Sequence, residues 1–371
     1  SQIGILGRWS HEMELRGKVS KEKRKKSLDP HLLPDFRYVL PQSVIKSILE
    51  KKPYPTLAMF VQASNPLSTW PNTHKTCQAF KKLDFLAVSD MFMTPTAAIA
   101  DIVFPVAGYL EYDGIQMTPM GTIAQVQRKV AQVGECRSDH EVINGLAKKL
   151  GLGEYFWDHV DQFWDAILEP VDLTFEEFKK IGRLTGKKKS RAYKQYEESG
   201  FKTPSGKVEL YSKKLEEWGF DPLPIYYESS ETPHKAPDPA GEYPLLCTTR
   251  KLSVYRHSGG RQIPSLRTVS PDPLVIIHHD TANRLEIEED DWIYIETKWG
   301  KIKQKAHLST TVDPRVIVVA HAWWFPERDE TELFCFQDSN YNVLTTHRPP
   351  FNNEVGSFNI RGLACKVYKV S

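Results

Sequence analysis

Apolar and polar positions alternate with different periods along the chain, and each period predicts a different element. Thr56-Leu57-Ala58-Met59-Phe60-Val61-Gln62 is a short apolar run, the pattern of a buried strand. It stops at Ser64-Asn65-Pro66, because a residue before proline is pushed out of the helical region. From residue 72 onward, Cys77, Phe80 and Leu83 fall at helical spacing. Phe85-Leu86-Ala87-Val88 reads as a second buried strand and ends in Ser89-Asp90. A short helical segment over Thr94–Ala100 leads to a third strand, Ile102-Val103-Phe104, stopped by Pro105. Strands and helices in this succession predict βαβ units and a parallel sheet. In such sheets ligands bind beyond the carboxyl ends of the strands, here Ser64/Asn65, Ser89/Asp90 and Pro105. A further helix is expected over 138–150, with Asp139 as N-cap and Gly151 just past its end.

Beyond that helix the texture changes twice. Residues 154–200 are aromatic, charged and partly helical, include Gly186-Lys187-Lys188-Lys189-Ser190-Arg191, and read as a surface excursion. Residues 221–244 are rich in proline and contain Ser229-Ser230-Glu231-Thr232, a linker composition. After Tyr243 come short strands at Leu245–Thr248, Leu274–Ile277, Trp292–Glu296, Lys301–His307 and Val316–Ala320. A hairpin turn at Lys298-Trp299-Gly300 and one helical piece at Asp280–Leu285 lie among them. Closely spaced strands of this kind predict a small barrel. The expected organisation is an irregular lead-in over 1–40, an α/β domain over 41–220, the linker over 221–244 and a barrel over 245–371.

Composition narrows the classes. With 371 residues, 40% of them hydrophobic, the chain has enough apolar material for substantial cores. A net charge of +2 gives no overall electrostatic case for nucleic acid, and the run Lys21–Lys26 has no interleaved aromatics and reads as a solvated face. The five cysteines are scattered without a CxxC, which speaks against a local zinc or iron–sulfur motif and suits a reducing compartment. No apolar run approaches the roughly 20 residues of a membrane helix, so no direct membrane insertion is expected. The start, Ser1-Gln2-Ile3, has neither a Met nor the layout of a signal peptide, and is expected to be processed or internal to a longer protein.

Candidate chemistry sits in the loops. No GxSxG, HExxH, GxxxxGK[ST] or GxGxxG pattern is present. His278-His279 would face opposite sides of a strand and reads as structural. Trp323-Trp324 beside His321 are hydrophobic payload by default, with walling of a planar ligand as the alternative. Asn65 and the Asp90–Thr94 segment lie at strand ends, where such side chains pair with a nucleobase edge or ribose, or simply cap helices. The segment from Thr248-Thr249-Arg250 to His257-Ser258-Gly259-Gly260-Arg261 is a polar loop suited to phosphate, or a plain flexible loop.

At these residues the chain resembles the molybdopterin oxidoreductase (dimethyl sulfoxide reductase) family. The carriers are Phe60–Leu67, Leu83–Asp90, Met93–Thr96, Ala100–Pro105 and Glu111-Tyr112-Asp113-Gly114, in that order. Thr203–Ser212, Thr249-Arg250, His257-Ser258, Asp280–Trp292, Trp323–Pro326, Asn342–Thr345 and Gly356–Arg361 continue the series. The resemblance covers about residues 50–371. It implies an α/β fold, a Rossmann-like parallel-sheet domain followed by a double-psi β-barrel that binds molybdopterin guanine dinucleotide. By position, Asn65, Asp90 and Thr94 match strand-end contacts to one dinucleotide. Thr248, Arg250, His257 and Ser258 match the barrel loop that grips the cofactors, and Asn342 and Arg361 match late contacts.

The implied function is the C-terminal, cofactor-binding portion of a molybdenum or tungsten oxidoreductase, inactive alone. The parent would carry two dinucleotides, the metal ligand and, in many members, an iron–sulfur cluster upstream. Implied partners are the missing N-terminal domains of the same enzyme and an electron-transfer subunit. The cytoplasm is the expected compartment, with periplasmic export left open by the start of the chain. Two alternatives stand beside this reading: a cofactor-free scaffold homologue of the respiratory-complex type, and a non-redox member such as a tungsten hydratase.

Overall fold

The computed structural model describes residues 39–118, 123–186, 193–226, 241–349 and 355–370, together with Leu28 and Asn352. The basic lead-in up to residue 38 (Leu28 apart), the lysine run at 187–192 and the proline-rich stretch 227–240 lie outside the described residues. The chain forms two compact units: one of residues 104–210, and one joining 39–103 to 211–370.

The second unit begins with helix α1 (Pro41–Glu50), strand β1 (Ala58–Gln62), the single turn α2 (Pro66–Thr69), helix α3 (Thr73–Phe80), strand β2 (Phe85–Asp90) and the first half of strand β3 (Ile102–Pro105). Pro41 and Pro66 open their helices, where a missing N–H costs nothing. The sheet order is β1-β2-β3, and β1 pairs with β2 in parallel from Ala58 opposite Phe85 to Gln62 opposite Ser89. The expected strands are therefore present. The helical segment after Asp90 is a short 3-10 turn, Ala97–Ile99. Val61, Leu67, Phe80, Leu86 and Val88 form a core with Trp324 and Phe336.

The barrel belongs to the same unit. Strands β7 (Leu245–Arg250), β8 (Leu274–His278), β9 (Trp292–Thr297), β10 (Gly300–Ser309), β11 (Val316–Ala320) and β12 (Leu363–Lys369) close in the order β10-β8-β11-β7-β12-β9. The pairs β10/β8 and β11/β7 are parallel and the other four antiparallel. Cys247, Val275, Ile277, Ile293, Ile295, Ile302, Ile317, Val319 and Cys365 alternate into a filled interior. Burying each such branched aliphatic side chain contributes about 1.5–3 kcal/mol. Gln304, also buried, is satisfied by the backbone of Ala320 and the carbonyl of Ser339. His278 ends β8, but His279 opens the helix His279–Arg284; the pair does not lie on one strand.

The first unit holds the antiparallel sheet β4 (Gly114–Met117), β5 (Ile123–Gln127) and β6 (Arg183–Thr185), with helices α4 (Asp139–Lys149), α5 (Val160–Leu168) and α6 (Phe175–Ile181). The N-cap of α4 is Ser138, one residue before the expected Asp139. Ser138 forms a reciprocal capping box with Glu141, which Asp139 cannot do from inside the first turn. The surface excursion expected over 154–200 is corrected in its centre. Phe163, Trp164, Ile167 and Leu168 occupy one face of α5 and bury against Phe175, Phe178 and Ala124. All five cysteines are free, and no helix among the described residues is long and apolar enough to cross a membrane.

Candidate functional site

The β1/β2 register sets the first half of the site. Because Gln62 lies opposite Ser89, the segments after both strands leave the sheet side by side. Ala63 takes the left-handed conformation, φ 52°, and turns the chain sharply into Asn65. Asn65 is buried; its Oδ1 accepts from Thr96 Oγ1 at 2.6 Å and its Nδ2 donates to Ser68 Oγ at 3.1 Å. Thr96 in turn accepts from the Leu67 N–H. Asn65 therefore locks the first turn of α2 to the segment after β2.

Asp90 closes β2 and is half-buried. Its carboxylate accepts from the Phe92 N–H and from Thr94 Oγ1, each at 3.3 Å. Thr94 is buried and also accepts from the Ala97 N–H. Burial pushes the Asp90 carboxyl up, partly offset by these hydrogen bonds. No cation pairs with it among the described residues, and the neighbouring Ser89 Oγ is buried without a partner.

The second half sits where β7 and β11 end. Thr248 and Arg250 share one face of β7, alternating with the inward Cys247. The Arg250 Nε is buried without a partner, and among the described residues its guanidinium makes no ion pair. Burial lowers its pKa. The loop beyond carries His257, exposed and at φ 52°, and Ser258, buried. The His257 and His321 rings lie 5.8 Å apart. Burial, followed by the charges of His257, Arg261, Lys251 and Arg361, holds the His321 imidazole down at about 4. Arg361 itself is exposed, with its N–H on Asn359 Oδ1. The charges that act most strongly on His321 among the described residues are thus cationic, the environment of an anion site.

Asn342 joins the two halves. Its Nδ2 and that of Asn340 both donate to the Ser68 carbonyl, at 3.1 and 3.0 Å, while the Asn72 N–H donates to Thr345 Oγ1. Sequence reasoning missed Thr96, Ser68 and Asn340, although Thr96 stands in the Met93–Thr96 segment and Asn340 begins an Asx turn onto Asn342. It also missed His347, which is buried with Nδ1 unpartnered and pulled down to about 4 by burial, Lys75 and Arg348. Trp323 and Trp324 are buried to 0% and 1% exposure. They do not wall a ligand; Trp324 Nε1 donates to the Ser258 carbonyl at 2.7 Å.

A model of the molybdopterin oxidoreductase family matches residues 10–149, and one of the molybdopterin dinucleotide binding domain matches residues 245–357. The chain belongs to the molybdopterin oxidoreductase family. Acetylene hydratase of Syntrophotalea acetylenica is 32% identical over 89% of this chain and 46% of its own length. The thiosulfate reductase molybdopterin-containing subunit of Salmonella typhimurium is 29% identical over 77% of this chain and 41% of its length. The solved acetylene hydratase from Pelobacter acetylenicus superposes with a TM-score of 0.80 at 31% identity, covering 90% of this chain and 47% of that one. The chain therefore spans less than half the length of these relatives. The mixed α/β architecture with a parallel sheet and a closed six-stranded barrel is the fold it shares with the solved acetylene hydratase. The strand-end and barrel-loop residues fit a molybdopterin dinucleotide: an unpaired guanidinium among cations suits a diphosphate, and a carboxylate without a cation suits N–H donors.

Proposed function

We propose that this family member is the cofactor-anchoring C-terminal portion of a molybdenum or tungsten enzyme, and that it holds the guanine form of the dinucleotide. The observation that carries the reading is Arg250, a half-buried guanidinium that makes no ion pair among the described residues, at the mouth of a loop whose other charges are positive. A scaffold without cofactor gains nothing from a desolvated, unpaired charge. In this reading the barrel is of the double-psi type. Thr248, Arg250, His257 and Ser258 take the diphosphate, and Asn342 and Arg361 add later contacts. Asp90 accepts paired N–H groups of a guanine edge, with Thr94 and the Phe92 N–H fixing its orientation. Asn65 keeps the two strand-end segments in register. When bound, the metal on two such cofactors supplies two-electron oxygen-atom or hydrogen transfer. The parent supplies the metal ligand, any iron–sulfur cluster and the rest of the cleft from its other domains, and receives electrons through a partner subunit, in the cytoplasm.

Asp90→Asn tests the reading in the parent enzyme, because the amide replaces one acceptor oxygen by a donor that faces the guanine N–H groups. Bound guanine nucleotide, released by denaturation and quantified, is expected to fall at least about tenfold. Wild-type occupancy in this variant would contradict the assignment of Asp90.

A second reading is favoured by the acetylene hydratase likeness, which appears in sequence at 32% identity and in fold at a TM-score of 0.80. In that reading the same anchoring residues serve a hydration at the metal. Turnover without any electron acceptor or donor would select it.

A further inference from the structure

Arg261 belongs to the polar loop that suits phosphate, yet it does not face out of the protein. It is 2% exposed and makes no ion pair among the described residues, an unusual state for arginine. Its guanidinium lies over the rings of Tyr255 and Trp323, 4.7 and 4.8 Å from their centroids, in the corner that these two perpendicular rings make. Nη1 donates to the His257 carbonyl and Nη2 to the His321 carbonyl, both at 2.7 Å. One planar fork thus spans the loop after β7 and the loop after β11.

The trans peptide turns this into a statement about donors. In each unit the N–H points opposite to the C=O. With the His257 and His321 oxygens drawn onto Arg261, the N–H groups of Ser258 and Ala322 face away from it. Neither donates a hydrogen bond among the described residues. His257 and Ala322, the residues flanking these units, are non-glycine residues at φ 52° and 48°. Such conformations persist where surrounding contacts over-determine them. Arg261 is one such contact, and the bond from Trp324 Nε1 to the Ser258 carbonyl is another.

We propose that Arg261 is a positioning residue: without touching the ligand, it presets the Ser258 and Ala322 N–H groups as a pair of donors for an anion. Under the proposed function, on which this inference rests, that anion is the diphosphate of the dinucleotide. A lysine cannot replace it, because an ammonium does not bridge two carbonyls in a plane while stacking on two rings.

The test uses the full-length parent enzyme, purified with its cofactor, and follows the loss of guanine nucleotide during dialysis. Arg261→Lys and Arg261→Met are compared with Ile277→Val, a barrel-core variant that loosens packing far from the loops. Both Arg261 variants are expected to lose nucleotide at least about tenfold faster than wild type, and millimolar guanidinium is expected to slow the loss from Arg261→Ala while equal ammonium does not. Amide exchange at Ser258 and Ala322, read on the wild type with and without cofactor, is expected to slow in the loaded form. Should Arg261→Met fail to accumulate, Arg261→Lys and the exchange measurement decide. Wild-type retention in Arg261→Lys, or equal loss from Ile277→Val at a matched melting temperature, overturns the positioning role alone. A wild-type enzyme free of guanine nucleotide overturns the cofactor reading itself, and this role with it.

Discussion

Arg250 and His321 meet across the ends of β7 and β11, where the His321 N–H donates to the Arg250 carbonyl at 3.2 Å. Both are held in states that favour a ligand over stability. Arg250 is a partly buried charge with no ion pair among the described residues and an unpartnered Nε, so Arg250→Gln relieves a penalty when the cofactor is absent and removes a contact when it is present. The cofactor-free protein is expected to melt at or above the wild-type temperature, while bound nucleotide falls. A large drop in melting temperature would mean that Arg250 is structural. His321 is held neutral, with its pKa depressed to about 4 from an ordinary 6.5. The unfolded chain therefore binds a proton before the folded one does. The stability His321 contributes is present above about pH 6.5 and is lost as the pH falls toward about 4. Over that fall from neutrality to about pH 5 the loss is about 2 kcal/mol, and His321→Gln is expected to flatten the acid limb of a melting-temperature profile by that much. An unchanged profile would place His321 in water.

At this scale residue type was legible and direction was not. The polar loop of Thr248, Arg250, His257 and Ser258 announced itself by composition. Composition cannot say that Arg250 makes no ion pair among the described residues while Arg261 turns inward onto two carbonyls, since that depends on Tyr255 and on Trp323, 62 residues further along the sequence.

Among the elements, short apolar runs identified β1, β2, β3 and most barrel strands, although only β2 and β8 are buried over three or more successive residues. The closing strand β12 was missed although Leu363, Cys365 and Val367 alternate inward. Helix α5 was misread because the neighbouring lysine run dominated the composition of 154–200, whereas Phe163, Trp164, Ile167 and Leu168 keep a helical stripe. The β9/β10 hairpin was legible, but the reason for its glycine was not. A Cβ on Gly300 would stand 2.5 Å from the Val343 carbonyl oxygen and 2.9 Å from its Cγ1. Gly300→Ala must push the Tyr341–Leu344 turn off the barrel, along with Asn342 and its bond to Ser68. The expected loss is about 2 kcal/mol in denaturant unfolding of the parent. A neutral substitution would show that this turn yields freely.

For the whole molecule, the barrel and the parallel sheet share one unit, so the strand-end carboxylate and the barrel-loop cations have a fixed relation through Ser68, Asn340 and Asn342. That relation spans long sequence separations, and it became legible only through the ordered resemblance to the family. The central claim is that this unit anchors a metal-bearing dinucleotide. Its most direct test is the metal and guanine nucleotide content of the parent enzyme, denatured after purification from a host that makes the cofactor. Molybdenum or tungsten with roughly two guanine nucleotides per chain is the predicted result. A parent with neither would contradict the account, and the loops at Asp90 and Arg250 would then be ordinary caps and turns of a scaffold.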